Sequence, residues 1–94
     1  PRLSDDEIRV RLGDLPGWEY RGNAIHKPFT FPNRDRHRAF VNALLDLARE
    51  LRHDPDMLVQ YRKVTVSLTT HDEGGVTEKD LAFARAAEEA AAPG

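Results

Sequence analysis

The stretch from Lys63 to Thr70 most constrains what this chain can fold into. Val64, Val66 and Leu68 alternate there with Thr65, Ser67 and Thr69. Successive side chains of a strand point to opposite faces, so this pattern demands one apolar and one polar face. A strand of that kind belongs to an antiparallel sheet covered on one side only. Neighbouring sequence supplies its partners. Leu58-Val59-Gln60-Tyr61 comes just before it, and Trp18-Glu19-Tyr20 and Ile25 to Phe31 read as two more strands joined across the turn signal Gly22-Asn23. Pro28 has no N–H to give to a ladder, which predicts an edge position or a bulge there.

Three helices are expected around these strands. Ser4-Asp5-Asp6-Glu7 has the spacing of a capping box, and Ile8, Leu12 and Leu15 follow at helical intervals until Pro16-Gly17 ends the run. Phe40, Ala43, Leu44, Leu47, Ala48 and Leu51 form one stripe of a second helix, placed at Asp35 to Arg52. Asp54-Pro55 stops it, because the residue before a proline disfavours the α region. After a loop at Asp72-Glu73-Gly74-Gly75, Thr77 to Asp80 repeats the capping-box spacing with Asp in place of Glu. Leu81, Ala84, Ala87 and Ala91 then carry a third helix. The order α-β-β-α-β-β-α predicts a single α+β domain over residues 1–94: a four-stranded antiparallel sheet with three helices on one face. The other face is then wet or covered by another subunit.

Composition excludes several functions. A chain of 94 residues has a modest core, and oligomerisation is a common way to add buried surface. The net charge of −2 gives no electrostatic case for direct nucleic-acid or anionic-membrane binding. The absence of cysteine removes disulfides, thiolate catalysis and Cys-type zinc sites. No apolar run approaches the ~20 residues of a membrane span. The charged N-terminus has no signal-peptide core, so a cytoplasmic location is expected. The chain begins at Pro1, as it would if an initiator methionine had been trimmed or left out of the sequence. No phosphate loop, nucleophile elbow or dinucleotide fingerprint is present.

His53 falls at the end of the second helix and His71 at the end of the last strand, so both could lie at one rim of the sheet. One neutral imidazole accepts a proton while a protonated partner donates one, which suits a dehydration. The same residues also read as two surface loop histidines. If strand geometry persists past Thr70, His71 belongs to the polar face. Asp54 and Asp72 each follow a histidine, but on different elements and with no third histidine nearby in sequence, so no metal is expected. Asp80 reads as the N3 cap of its helix, as the partner that orients a histidine, or as both. Trp18 and Tyr61 are each open between core or interface packing and stacking on a flat heterocycle. Arg34, Arg36 and Arg38 with His37, interrupted by Asp35, read as a solvated helix start.

These pieces together resemble the pterin-4a-carbinolamine dehydratases, also known as dimerisation cofactors of a homeodomain transcription factor. The likeness runs over nearly the whole chain. It includes Gly17-Trp18, the strand ending Phe29-Thr30-Phe31, the spacing of His53, Pro55, Tyr61, His71 and Asp80, the pair Thr70-His71, and Val76-Thr77-Glu78-Lys79-Asp80 before the last helix. The resemblance implies a lyase that removes water from a 4a-hydroxytetrahydropterin to give the quinonoid dihydropterin, without metal or cofactor. His53 and His71 would be the acid and base, supported by Asp80, with Asp54, Pro55 and Thr70 at the substrate. It also implies a homodimer or homotetramer whose sheets pair edge to edge. Dehydratase-like members with protein partners, a transcription factor or Rubisco, imply a second possible role in binding or assembly.

Three positions depart from the family pattern. Asp54 stands where the family usually has a second histidine, Met57 replaces a frequent aromatic, and Arg49 replaces an acidic residue or lysine. Asp54 would accept hydrogen bonds from the amino and ring N–H groups of a pterin, or favour the acid role of His53 over its base role.

Overall fold

The structure, a computed structural model, describes residues 1–93. The chain runs α1 (Asp5–Arg11), β1 (Glu19–Arg21), β2 (Ala24–Thr30), α2 (Arg34–Leu51), β3 (Asp56–Gln60), β4 (Lys63–Leu68) and α3 (Glu78–Ala91). Short 3-10 turns at Leu12–Asp14 and His71–Glu73 follow α1 and β4. The four strands form one antiparallel sheet in the order β1-β2-β4-β3. This is the expected α+β fold.

The alternation in β4 sorts the two faces as anticipated. Its register sets Val64 beside Phe29 and Val59, Val66 beside Lys27 and Met57, and Leu68 beside Ile25. The helices cover this face. Ile8 from α1, Phe40 and Leu44 from α2, and Leu81, Phe83 and Ala84 from α3 join the buried strand residues in one cluster. The Phe40 ring packs between those of Phe29 and Phe31, at 4.8 and 4.9 Å between centroids. On the open face, a row of His26, Ser67 and Asp56 crosses three strands.

Local chemistry explains where elements begin and end differently from the sequence expectation. α1 stops at Arg11, and Leu12 and Leu15 reach the core through the 3-10 turn. Gly13 is a weak helix former, and Leu15 precedes a proline. Trp18 lies just outside β1 and β3 starts at Asp56, where pairing with Ser67 extends it. β4 ends at Leu68, and only an isolated bridge from Thr70 to Gly75 follows. Pro28 sits in a strand that is interior by sheet order. However, β1 pairs with β2 only from Ala24 to His26, so beyond His26 that side of β2 is a free edge. The missing N–H therefore leaves no ladder bond unmade. Among the described residues no helix is long and apolar enough to cross a membrane.

Candidate active site

His53 is placed by the way α2 ends. Arg52 adopts the left-handed conformation, with φ 51° and ψ 48°. The N–H of Arg52 donates to the Arg49 carbonyl at 3.4 Å and that of His53 to the Ala48 carbonyl at 3.0 Å. This is a Schellman motif, which closes the last helical carbonyls and turns the chain sharply. It aims the His53 ring back at α3, edge-on to Phe83 with centroids 6.4 Å apart.

Asp80 meets it there. The carboxylate is fully buried. Its Oδ1 lies 2.5 Å from His53 Nε2, and its Oδ2 accepts from the Thr70 hydroxyl at 2.9 Å and the Thr77 N–H at 2.9 Å. The two readings of Asp80 are thus realised together, one oxygen capping α3 and the other holding the histidine. The carboxylate on His53 is Asp80 and not the adjacent Asp54, which is exposed and makes no hydrogen bond to it. An oriented imidazole whose second nitrogen is free is the form a proton-transfer residue needs.

His71 does not continue the polar face of β4. Because the strand stops at Leu68, His71 opens the 3-10 turn and is exposed. It nevertheless reaches the same place. An open cleft of about 260 Å³ is lined by Arg52, His53, Asp54, Thr69, Thr70, His71, Asp72 and Lys79. Of the residues anticipated from sequence, His53, His71, Asp54 and Thr70 line this cleft, and Asp80 lies behind it. Pro55 is half-buried and is not part of the lining. Arg52 and Lys79 were not anticipated. They put two cations in a lining that also includes Asp54 and Asp72. Among the described residues no group of three or more histidine and carboxylate side chains is gathered as a metal site.

Other candidates lie elsewhere. Trp18 is buried, and its Nε1–H donates to Glu88 at 2.9 Å, so it is core. Tyr61 is exposed at the β3–β4 turn, the far end of β4 from Thr70, between the guanidinium groups of Arg34 and Arg62 at 4.9 and 5.2 Å. The solvated helix start holds for Arg34 and Arg38, but not for Arg36, which is half-buried with its guanidinium 3.5 Å from the Ala91 and Ala92 carbonyls, nor for His37. The His37 ring is buried, edge-on to Phe31 at 6.2 Å, and its Nε2 bonds the Lys63 carbonyl at 3.2 Å.

Comparisons with known proteins give the family and the fold. Residues 1–90 match the family model described as pterin 4 alpha carbinolamine dehydratase. A relative from Roseiflexus sp. (strain RS-1) is 52% identical over 83 residues, covering 88% of this chain and 89% of its own. One from Thermomicrobium roseum is 45% identical over 84 residues, covering 89% and 90%. Both carry the dehydratase name with the activity provisionally assigned. Two solved structures share the fold. A transcriptional coactivator/pterin dehydratase from Brucella melitensis has a TM-score of 0.94 and 33% identity, over 98% of this chain and 100% of that one. A pterin dehydratase-like protein identified as a RuBisCO assembly factor of the alpha-carboxysome has a TM-score of 0.71 and 26% identity, over 83% and 93%. The fold and the match together define an α+β protein of the pterin dehydratase class. The chain belongs to the pterin-4a-carbinolamine dehydratase family.

Proposed function

We propose that this protein dehydrates a 4a-hydroxytetrahydropterin to the quinonoid dihydropterin by histidine acid–base catalysis. It would thereby return pterin to the pool used by aromatic amino acid hydroxylases. The observation that carries this reading is the Asp80-held His53 in one cleft with His71, in a chain of this family. Loss of water needs a base for the N–H proton beside the carbinol carbon and an acid for the departing hydroxyl. The nitrogen lone pair then forms the C=N bond as the C–O bond breaks, and the hydroxide leaves as water. Neutral His53 takes the N–H proton, and Asp80 stabilises the imidazolium that forms. His71, at the open side of the cleft, gives the proton to the hydroxyl.

Asp54 replaces the family's usual second histidine as an acceptor for pterin amino and ring N–H groups, a charge-assisted contact. The Thr70 hydroxyl is already bonded to Asp80 and Thr77, so it shapes the cleft wall more than it binds substrate. Pro55 sets the path from Asp54 into β3. The working form in this reading is a cytoplasmic homodimer or homotetramer, supported by the unpaired β3 edge with Leu58 59% and Val59 50% exposed.

A second reading, a non-catalytic binding or assembly protein, is favoured by Asp54 and by the fold's likeness to the RuBisCO assembly factor. Pterin binding separates the two. A dehydratase binds a stable dihydropterin in the His53 cleft, and His71→Ala loses most of its turnover while staying folded. A folded protein that ignores pterins supports the second reading, and an unchanged rate in His71→Ala contradicts the role given to His71.

A further inference from the structure

The buried polar chain behind His53 has a direction. Asp80 Oδ2 takes two donors, the Thr77 backbone N–H and the Thr70 hydroxyl, each at 2.9 Å. The Thr70 hydroxyl has one proton, and the carboxylate takes it. Thr70 therefore meets Thr77 with lone pairs only, and in the 2.8 Å bond between their hydroxyls Thr77 is the donor. The Thr77 oxygen accepts in turn from the Lys79 N–H at 3.3 Å. Protons thus point one way, from the first turn of α3 through Thr77 and Thr70 to Asp80. Thr70 and Thr77 are 8% and 5% exposed, so water competes little for these bonds. With Oδ2 filled, Oδ1 is left for His53 Nε2.

We propose that Thr77 is a positioning residue. Through the Thr70 hydroxyl and its own N–H, it holds the Asp80 carboxylate so that neutral His53 carries its proton on Nε2 and offers Nδ1 to the substrate. Among the described residues no protein group bonds Nδ1. The opposite arrangement, a protonated Asp80 donating to Nε2, would put the histidine's proton on Nδ1 and remove the base from the cleft. Two donors on Oδ2, one of them a backbone N–H at the positive end of α3, favour the carboxylate. The catalytic meaning of this arrangement rests on the proposed dehydration; the tautomer does not.

The test is long-range ¹H–¹⁵N NMR of the labelled full chain at a pH where His53 is neutral. The expected result is the Nε2–H tautomer in the wild type and in Thr77→Ser, with a clear Nδ1–H share in Thr77→Val. A wild-type Nδ1–H tautomer, or an unchanged tautomer in folded Thr77→Val, overturns the proposal. Should Thr77→Val fail to fold, Thr70→Val, which keeps the Thr77 cap, decides it by the same criterion. In turnover, Thr77→Val is expected to lower kcat about tenfold with KM little changed, as loss of an outer hydrogen-bond partner does elsewhere, and Thr77→Ser to restore it. A raised KM at unchanged kcat contradicts the positioning role. A wild type that shows the expected tautomers but no dehydration refutes the proposed function and leaves the hydroxyl chain standing.

Discussion

At the residue scale, the site turns on one carboxylate with two duties. Asp80 caps α3 with one oxygen and grips His53 with the other. Replacing it by Asn keeps the shape but points an NH₂ at a donor, either His53 or the Thr70 and Thr77 pair. One buried donor then loses its acceptor, which costs about 1–3 kcal/mol. Asp80→Asn is therefore expected to melt at lower denaturant concentration. Turnover should fall by about 10²-fold or more, the usual scale for a lost acid–base contribution. Urea titration and turnover on the same preparation check both. His53, His71 and Asp80 were legible in the sequence through their residue types and spacing. The hydroxyl chain was not, because β-periodicity assigns Thr70 a face but says nothing of its bonding partners. Arg52 and Lys79 escaped notice because charged residues at helix ends ordinarily face solvent.

At the scale of elements, the ends of α2 and β4 matter more than their middles. The stripe from Phe40 to Leu51 and the alternation of β4 were readable because long periodic patterns outlast local noise. The Schellman turn was not readable, since its left-handed residue is Arg52 where glycine is usual. Arg52→Gly removes that backbone strain and is expected to stabilise the fold by up to about 1 kcal/mol, visible as a raised melting temperature. A lowered one would mean that the Arg52 side chain contributes more than the strain costs. In the covered face, Leu81→Ala removes a fully buried side chain of the core cluster that residues of β4 and α2 share. It is expected to cost about 2–5 kcal/mol in a denaturant melt. The early stop of β4 was hidden for a different reason. Thr69 and Thr70 keep the alternating pattern, but the chain turns at Thr70 to bridge Gly75.

At the scale of the whole molecule, a contact between distant elements joins a local cap in the response to acid. Arg11 of α1 forms a double ion pair with Glu78 of α3 at 2.7 and 2.8 Å. The Arg11 hydrogen bond holds the Glu78 carboxyl below its ordinary value, and bonds from Ser4, the backbone N–H foremost, do the same for Glu7. A carboxyl whose folded value is lowered stabilises fully above its unfolded value and loses that contribution as pH falls through the folded one. Glu78→Gln is therefore expected to be slightly less stable than the wild type at neutral pH, with the difference vanishing in strong acid. Paired urea melts at the two pH values read this. A difference that persists in acid would assign the effect to packing.

The β3 edge belongs to this scale too. Leu58→Lys on that exposed strand is expected to shift the oligomer toward monomer in sedimentation, and an unchanged mass would exclude the β3 edge as the interface.

The most direct test of the central claim is the decay of freshly generated 4a-hydroxytetrahydropterin, followed by stopped-flow absorbance with wild-type protein, with His53→Ala, and with none. The account predicts strong acceleration by the wild type and near-background decay with a folded His53→Ala. Background decay with the folded wild type, or full acceleration without His53, would contradict it.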